Sequence, residues 1–311
     1  MSISNSYAVS AFGLSKSYGN VPAIRDVSFD IHQGELFGFI GPDGAGKTTL
    51  FRILTTLLLA DSGVATVLGR EVVTEYRALR KLIGYMPGRF SLYTDLTVRE
   101  NLNFFASIFG TTVEENYDLI EDIYSHIEPF EDRRAGALSG GMKQKLALSC
   151  ALIHRPDILF LDEPTTGVDA VSRREFWDML FKLKSAGLTI IVSTPYMDEA
   201  TRCDRIALIQ DGEILKIDTP EALTDAFEHP LFAVYGKNKF GLLTTLRKFS
   251  AARSVFPFGE SVHFTVQGGS GNEIVDAGSI LDFLSESGFD ARVEAIHPTV
   301  EDVFLDLSVE K

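Results

Sequence analysis

The run GPDGAGKTT at Gly41–Thr49 sets glycine, glycine, lysine and threonine at the spacing G-x-x-x-x-G-K-[ST], directly behind the apolar run Leu36–Ile40. A strand that feeds such a loop binds phosphate. The glycines let the backbone of Gly41, Pro42, Asp43, Gly44, Ala45 and Gly46 curl so that its N–H groups point inward, and a helix starting near Lys47 adds the positive end of its dipole. Lys47 is placed to neutralise β- and γ-phosphate charge, and Thr48, followed by Thr49, to offer a hydroxyl to Mg²⁺. A plain glycine-rich turn would need neither the strand in front nor the amphipathic Leu50–Leu59 behind. A second apolar run, Ile158-Leu159-Phe160-Leu161, ends in Asp162-Glu163. Strand-end carboxylates lie at the carboxyl edge of a parallel sheet, where open α/β sheets bind ligands. Asp162 is expected to hold Mg²⁺ and Glu163 to orient and deprotonate an attacking water.

The elements that must position these groups are legible as α/β. Strands are expected at Val27–Ile31, Leu36–Ile40 and Thr66–Leu68, with a helix behind the phosphate loop. From about Gly88 to Arg155 the periodicity turns helical. Thr97-Val98-Arg99-Glu100 forms a capping box ahead of Leu102, Phe105, Ala106 and Phe109, and Ile120, Ile123, Tyr124 and Ile127 repeat the spacing. Phe176, Met179, Leu180 and Leu183 make another helix face, Ile206–Ile209 a buried strand, and Asp211-Gly212 a hairpin turn. Beyond His229-Pro230, strand-like and helical runs alternate in a small α/β domain, broken by the flexible Gln267-Gly268-Gly269-Ser270-Gly271-Asn272. A closing helix has Val300, Val303, Phe304 and Leu307 on one face.

Between the two phosphate-site runs lies LSGGM, Leu138–Met142, a glycine-rich helix start and so a second candidate anion site. Phosphate loop, LSGGM and ILFLDEP in this order resemble the ATP-binding cassette (ABC) transporter ATPases. The resemblance covers most of the first 220 residues. It implies a P-loop NTPase (RecA-like) core with an antiparallel β edge subdomain and a helical subdomain at about 88–155, so that residues 1–228 form the nucleotide-binding domain and 229–311 the C-terminal domain. It also implies ATP and Mg²⁺ as ligands, and a second cassette whose nucleotide is capped by Leu138, Ser139, Gly140 and Gly141. Tyr18 is similar to the aromatic that stacks on adenine, and Asp169 to an aspartate that reaches across the dimer interface. Met142 stands where many cassettes carry glutamine, and Asp43 where asparagine is commoner; Asp43 is expected on the outer rim of the loop. Phe90 and Tyr93 open the helical subdomain where the family receives the coupling helix of an integral-membrane permease. PTVEDVFL at the C-terminus resembles the ending of drug- and antibiotic-exporter cassettes.

The pattern breaks at two positions. Gly88 follows the strand Leu82–Pro87 where the family carries a glutamine that touches Mg²⁺ and the attacking water. Pro195 stands in the place of the family's switch histidine, and the six histidines, His32, His126, His154, His229, His263 and His297, all lie elsewhere. Proline offers neither a side-chain donor nor an N–H. With the phosphate loop complete, these losses weaken transition-state stabilisation more than ground-state binding. Removing one well-placed donor costs roughly 10²–10³ in rate. The expectation is a site that binds ATP and turns over slowly, in a heterodimer whose partner supplies both missing groups; a homodimer, or a nucleotide-gated regulatory partner, is the alternative.

Composition sets the remaining limits. Lys+Arg 29 against Asp+Glu 43 gives a net charge of −14, which disfavours broad contact with nucleic acid. No apolar run approaches the roughly 18 residues of a membrane helix, and the start, MSISNSYAVSAFGL, lacks a signal peptide's basic and apolar regions. Only Cys150 and Cys203 are present, not as CxxC, which fits a reducing cytosol without a disulfide framework. The expected location is cytoplasmic, peripheral on the inner face of the cell membrane, with any pore built by another chain.

Overall fold

An apolar run without alternation needs cover on both faces, and Leu36-Phe37-Gly38-Phe39-Ile40 is buried at every position. In the computed structural model, which describes residues 7–267 and 276–309, this run is the third strand. The chain begins with β1 (Tyr7–Tyr18), β2 (Val21–His32), β3 (Leu36–Ile40), α1 (Lys47–Leu54), β4 (Ser62–Val67) and β5 (Arg70–Glu71). Next come α2 (Tyr76–Leu79), β6 (Ile83–Met86), α3 (Val98–Phe109), α4 (Tyr117–Tyr124) and α5 (Gly140–Leu152). Then follow β7 (Ile158–Asp162), α6 (Ala170–Ser185), β8 (Thr189–Thr194), β9 (Arg205–Gln210) and β10 (Glu213–Asp218).

The central sheet has the order β10-β9-β3-β8-β7-β6, parallel except for β10. A separate antiparallel sheet, β2-β1-β4-β5, shares its core with β3 and α1. Edge-to-face rings tie the two together: Phe29 to Phe39 at 5.1 Å, Phe39 to Phe51 at 6.0 Å, and Phe51 to Phe160 at 5.7 Å. Such pairs contribute about 0.5–1.5 kcal/mol each beyond area burial. Phe51 thus pins α1, and the loop before it, between β3 and β7.

Two local expectations are corrected. The helix after the phosphate loop stops at Leu54 instead of running to Leu59, because Thr56 is left-handed (φ 64°). The Leu57 and Leu58 amides turn back to the Arg52 carbonyl, and Leu57 and Leu59 are exposed. Helix in the subdomain begins only at Val98, not near Gly88. The capping box there forms, with Glu100 N–H donating to Thr97 Oγ1 and Thr97 N–H to Glu100 Oε2. Ahead of it, buried Asn101 stitches the loop: it accepts from the Tyr93 amide and donates to the Tyr93 and Thr97 carbonyls.

The described chain divides at Thr219–Pro220, one short helix ahead of the boundary suggested by the sequence. The second unit holds α7 (Pro220–Asp225), β11 (Leu231–Gly236), α8 (Lys239–Leu246), β12 (Ala252–Phe258), β13 (Ser261–Val266), α9 (Ala277–Glu286), β14 (Ala291–Ala295) and α10 (Val300–Val309). Its antiparallel sheet, β12-β13-β11-β14, buries Phe232, Val234, Val262 and Phe264 against Leu242, Leu246, Ile280 and Leu284. The expected flexible stretch after Gln267 lies outside the described residues. On α10, Val300, Val303 and Phe304 are buried as the spacing suggests, but so is Asp302, while Leu307 stays partly exposed. Asp302 bonds His263 Nδ1 at 2.6 Å and accepts from the Thr299 amide and hydroxyl. Burial alone would raise its carboxyl; the bonds from His263 and Thr299 outweigh that and hold it below the usual range.

His154 joins β6 to the helical region. Its Nε2 meets the Ile83 carbonyl at 3.2 Å and its ring stacks on Phe109 at 3.7 Å. Burial pushes the imidazole below its ordinary value of 6.5. The fold therefore favours the neutral ring, and this contribution, full above the unfolded value, is lost as pH falls through the folded one. Melting temperature is expected to fall from about pH 7.5 to about pH 5.5, and to fall less in His154→Phe. Equal slopes in thermal melts of the two proteins would contradict this assignment.

Candidate functional site

The phosphate loop is shaped by what its backbone must pass. A Cβ on Gly41 would lie 2.0 Å from the Ile209 carbonyl oxygen, and one on Gly46 2.4 Å from that of Ala23. Gly46 caps α1 with φ 101°, a conformation open to glycine. Gly44 is also left-handed (φ 82°) but faces open space. Lys47 is 3% exposed, and its Nζ donates to the Gly41 and Pro42 carbonyls at 2.7 and 3.0 Å. It lies 3.2 Å from Glu163 Oε1. Thr48 is half-buried and Thr49 and Ala45 are buried, whereas Pro42, Asp43 and Gly44 are exposed along the loop's outer side.

Parallel register brings the second set of groups to the same edge. Ile40 pairs with Thr194 and Asp162 with Ser193, and the Gly41 amide donates to the Thr194 carbonyl at 3.3 Å. Asp162 is 1% exposed and accepts a 2.6 Å bond at Oδ1 from Ser193 Oγ. Glu163 follows with φ 50°, its amide donating to both the Ser193 carbonyl and Ser193 Oγ at 3.0 Å. The Tyr85 phenol is pushed up to about 12 by burial first and by the Asp162 charge second, so it stays neutral.

The two departures from the family pattern lie on this edge as well. Gly88 packs on the Asp162 backbone so closely that a Cβ would be 2.9 Å from the carbonyl oxygen. Beside Pro195, Thr194 Oγ1 donates to Glu199 Oε2 at 2.5 Å, and Thr165 Oγ1 to Glu199 Oε1 at 2.7 Å. Tyr196 lies under the Arg173 guanidinium at 4.3 Å. These hydroxyls and this cation already have partners within the chain.

LSGGM opens α5. Leu138 is buried, and Ser139 is the N-cap, accepting from the Met142 amide. Gly140 and Gly141 sit on the Gly167–Ser172 turn, where Cβ atoms would lie 3.4 Å from the Gly167 carbonyl oxygen and 2.7 Å from Ser172 Oγ. Asp169 caps α6, accepting from the Val171 and Ser172 amides; those bonds, led by Ser172, lower its carboxyl pKa. Tyr18 ends β1 about half exposed.

The structure therefore gathers Lys47, Asp162, Glu163 and Ser193 into one cluster, and joins LSGGM to the Asp169 turn in another. The Asp162 carboxylate and the Thr48 hydroxyl are hard oxygen donors that suit Mg²⁺ shared with a nucleotide. No group of three or more His, Cys, Asp or Glu able to hold a metal occurs among the described residues. Ser193 and Glu199 were missed by sequence reasoning: one sits within an apolar strand run, the other in an acidic helix start, and only the register gives them partners.

A glycine-rich loop between strand and helix, beside a strand-end acid pair, defines a P-loop nucleotide-binding protein. The family model described as ABC transporter matches residues 24–166. Over 248 residues the chain is 38% identical to the Nod factor export ATP-binding protein I of Rhizobium sp. (strain N33), covering 78% of this chain and 81% of that one. A second such protein, from Bradyrhizobium diazoefficiens, is 35% identical over 99% of this chain and 98% of its own length. The chain belongs to the ATP-binding cassette family of ABC transporters. It is also 45% identical over 224 residues to the probable multidrug ABC transporter ATP-binding protein YbhF of Escherichia coli, of which that match spans only 39%. Among solved structures, the cassette MJ0796, in a dimeric post-hydrolysis state with ADP and Pi, superposes with a TM-score of 0.63 at 26% identity, covering 68% of this chain and 98% of that one. CbiO1 from Clostridium perfringens has the same fold, with a TM-score of 0.64 at 24% identity, covering 71% and 92% of the two chains. Among the described residues no helix is long and apolar enough to cross a membrane.

The two left-handed loop glycines should respond differently to alanine. Gly44→Ala carries only the conformational cost of about 1–2 kcal/mol, whereas Gly46→Ala must also displace the Ala23 carbonyl or the loop itself. Fluorescent ATP-analogue titration is expected to show a loss of more than about tenfold for Gly46→Ala and a much smaller one for Gly44→Ala.

Proposed function

We propose that this chain is the ATP-binding and ATP-hydrolysing subunit of a multisubunit exporter, and that its own site is the slow half of an asymmetric cassette pair. The observation that carries this reading is the single sheet edge on which Lys47, Asp162 and Glu163 meet, while Gly88 and Pro195 offer no side-chain donor beside them. Loop amides and Lys47 bind the phosphates. Thr48 and Asp162 would hold Mg²⁺, which would supply compensation of the charge that develops in phosphoryl transfer. Glu163 takes the proton of the attacking water. The ion pair of Lys47 with Glu163 gives way to phosphate, which frees the carboxylate for that role. Tyr18 stacks on the base, and Leu138, Ser139, Gly140, Gly141 and Asp169 serve the nucleotide of the second cassette.

The membrane partner would dock at a cleft of about 380 Å³ lined by Tyr85, Met86, Leu92, Phe105, Ile108 and Phe109. Tyr93, half exposed and edge-on to Phe104 at 4.9 Å, lies at the opening of the helical region, and Phe90 lies under Lys143. Closure of two cassettes on ATP and reopening after hydrolysis would shift the permease between states. Relatives named for multidrug transport and for Nod factor export support an export role, with drugs or similar hydrophobic solutes as cargo and solute choice residing in the permease. The chain would then act at the inner face of the cell membrane, in contact with the permease and a second cassette instead of nucleic acid.

ATP hydrolysis by the purified chain, with Glu163→Gln as the zero, tests this. Tight ATP binding with turnover near that zero is expected, and Pro195→His should raise turnover roughly tenfold or more. Gly88→Gln should help less by itself, because its Cβ must first move the loop off the Asp162 carbonyl. Robust, Glu163-dependent turnover by the unsubstituted chain would instead establish a self-sufficient homodimer.

A further inference from the structure

We infer that Ser193 is a positioning residue for both strand-end acids, and that the chain's Mg²⁺-dependent grip on nucleotide depends on this one buried hydroxyl. The inference rests on the phosphate-site reading above and goes beyond it, since nothing in the phosphate-loop pattern requires a hydroxyl at this place in β8.

Ser193 is fully buried and lies directly opposite Asp162 in the parallel register. A hydroxyl has one proton to give and lone pairs to accept with, and this one uses both kinds. Its proton goes to Asp162 Oδ1 at 2.6 Å, and its oxygen accepts the Glu163 amide at 3.0 Å. The first bond matters because Asp162 is itself buried, and a buried carboxylate without a donor is costly. With Oδ1 committed, rotation about the Asp162 side chain is blocked and Oδ2 is the oxygen left for a cation. The second bond matters because Glu163 is a non-glycine residue in the left-handed region (φ 50°), which its neighbours must hold in place. Its amide is shared between the hydroxyl and carbonyl oxygens of the same serine. One residue thereby fixes the orientation of Asp162 and the backbone that aims Glu163 at Lys47.

The neighbouring hydroxyl cannot take over. Thr194 Oγ1 is bonded to Glu199, and alternate residues of a strand face opposite sides of the sheet.

The test is binding of a fluorescent, non-hydrolysable ATP analogue to the full chain, in EDTA and across a Mg²⁺ titration, for the unsubstituted protein, Ser193→Ala, Asp162→Asn and the double variant. Ser193→Ala is expected to bind the analogue in EDTA as the unsubstituted chain does, but to need roughly tenfold more Mg²⁺, the scale on which partners of metal ligands act. In the Asp162→Asn background, Ser193→Ala should change the Mg²⁺ requirement no further. An unchanged Mg²⁺ requirement in Ser193→Ala would overturn the inference, as would an equal loss in EDTA and Mg²⁺, which marks a merely structural role. Independent, additive effects of the two substitutions would also overturn it. Failure of the unsubstituted chain to bind the analogue under either condition would overturn the phosphate-site reading itself, and this inference with it.

Discussion

The parallel register of β3, β8 and β7 is the constraint on which the site depends. It sets Ile40 level with Thr194 and Asp162 level with Ser193, so the chain leaves three strands at one height and delivers loop, acids and hydroxyl together. A slip of one residue would turn each of these side chains to the other face of the sheet. The register is held by apolar runs buried on both sides and by the edge-to-face rings through Phe51, which fix α1 against β7. Packing far from any phosphate thereby decides where Lys47 can reach.

Within that frame the site balances its own charges. Lys47 is almost wholly removed from water, and a buried cation is tolerated only when paired and hydrogen-bonded. The Gly41 and Pro42 carbonyls and Glu163 provide for this. Asp162 meets the same requirement through Ser193. Lys47 and Asp162, the two buried charges of the site, thus each have a protein partner of suitable sign or polarity.

Gly88 and Pro195 sit on the same edge without disturbing this balance. Gly88 lets the loop after β6 rest on the Asp162 backbone, and Pro195 lies beside a closed network of Thr165, Thr194 and Glu199. Both positions are thus accommodated by packing and hydrogen bonds within the chain. The second glycine-rich helix start, at Ser139–Gly141, is independent of them and is ordered by the turn that Asp169 caps.

Much of this was readable in the chain. The spacing of Gly41, Gly46, Lys47 and Thr48, the acids closing an apolar run, and the Thr97–Glu100 capping box depend on neighbours in sequence, so short-range chemistry fixes them. Helix ends were less legible: Thr56 adopts a left-handed conformation that no local signal announced, and α1 stops short. The burial of Asp302 was not legible either, because its partner His263 comes from β13. Ser193 and Glu199 likewise gain their meaning from residues tens of positions away, across strands. Sequence determined which groups the chain carries and the loop that presents them. Tertiary structure alone decided which buried polar group faces which, because a hydrogen bond reaches only about 3 Å and strand register chooses its partner.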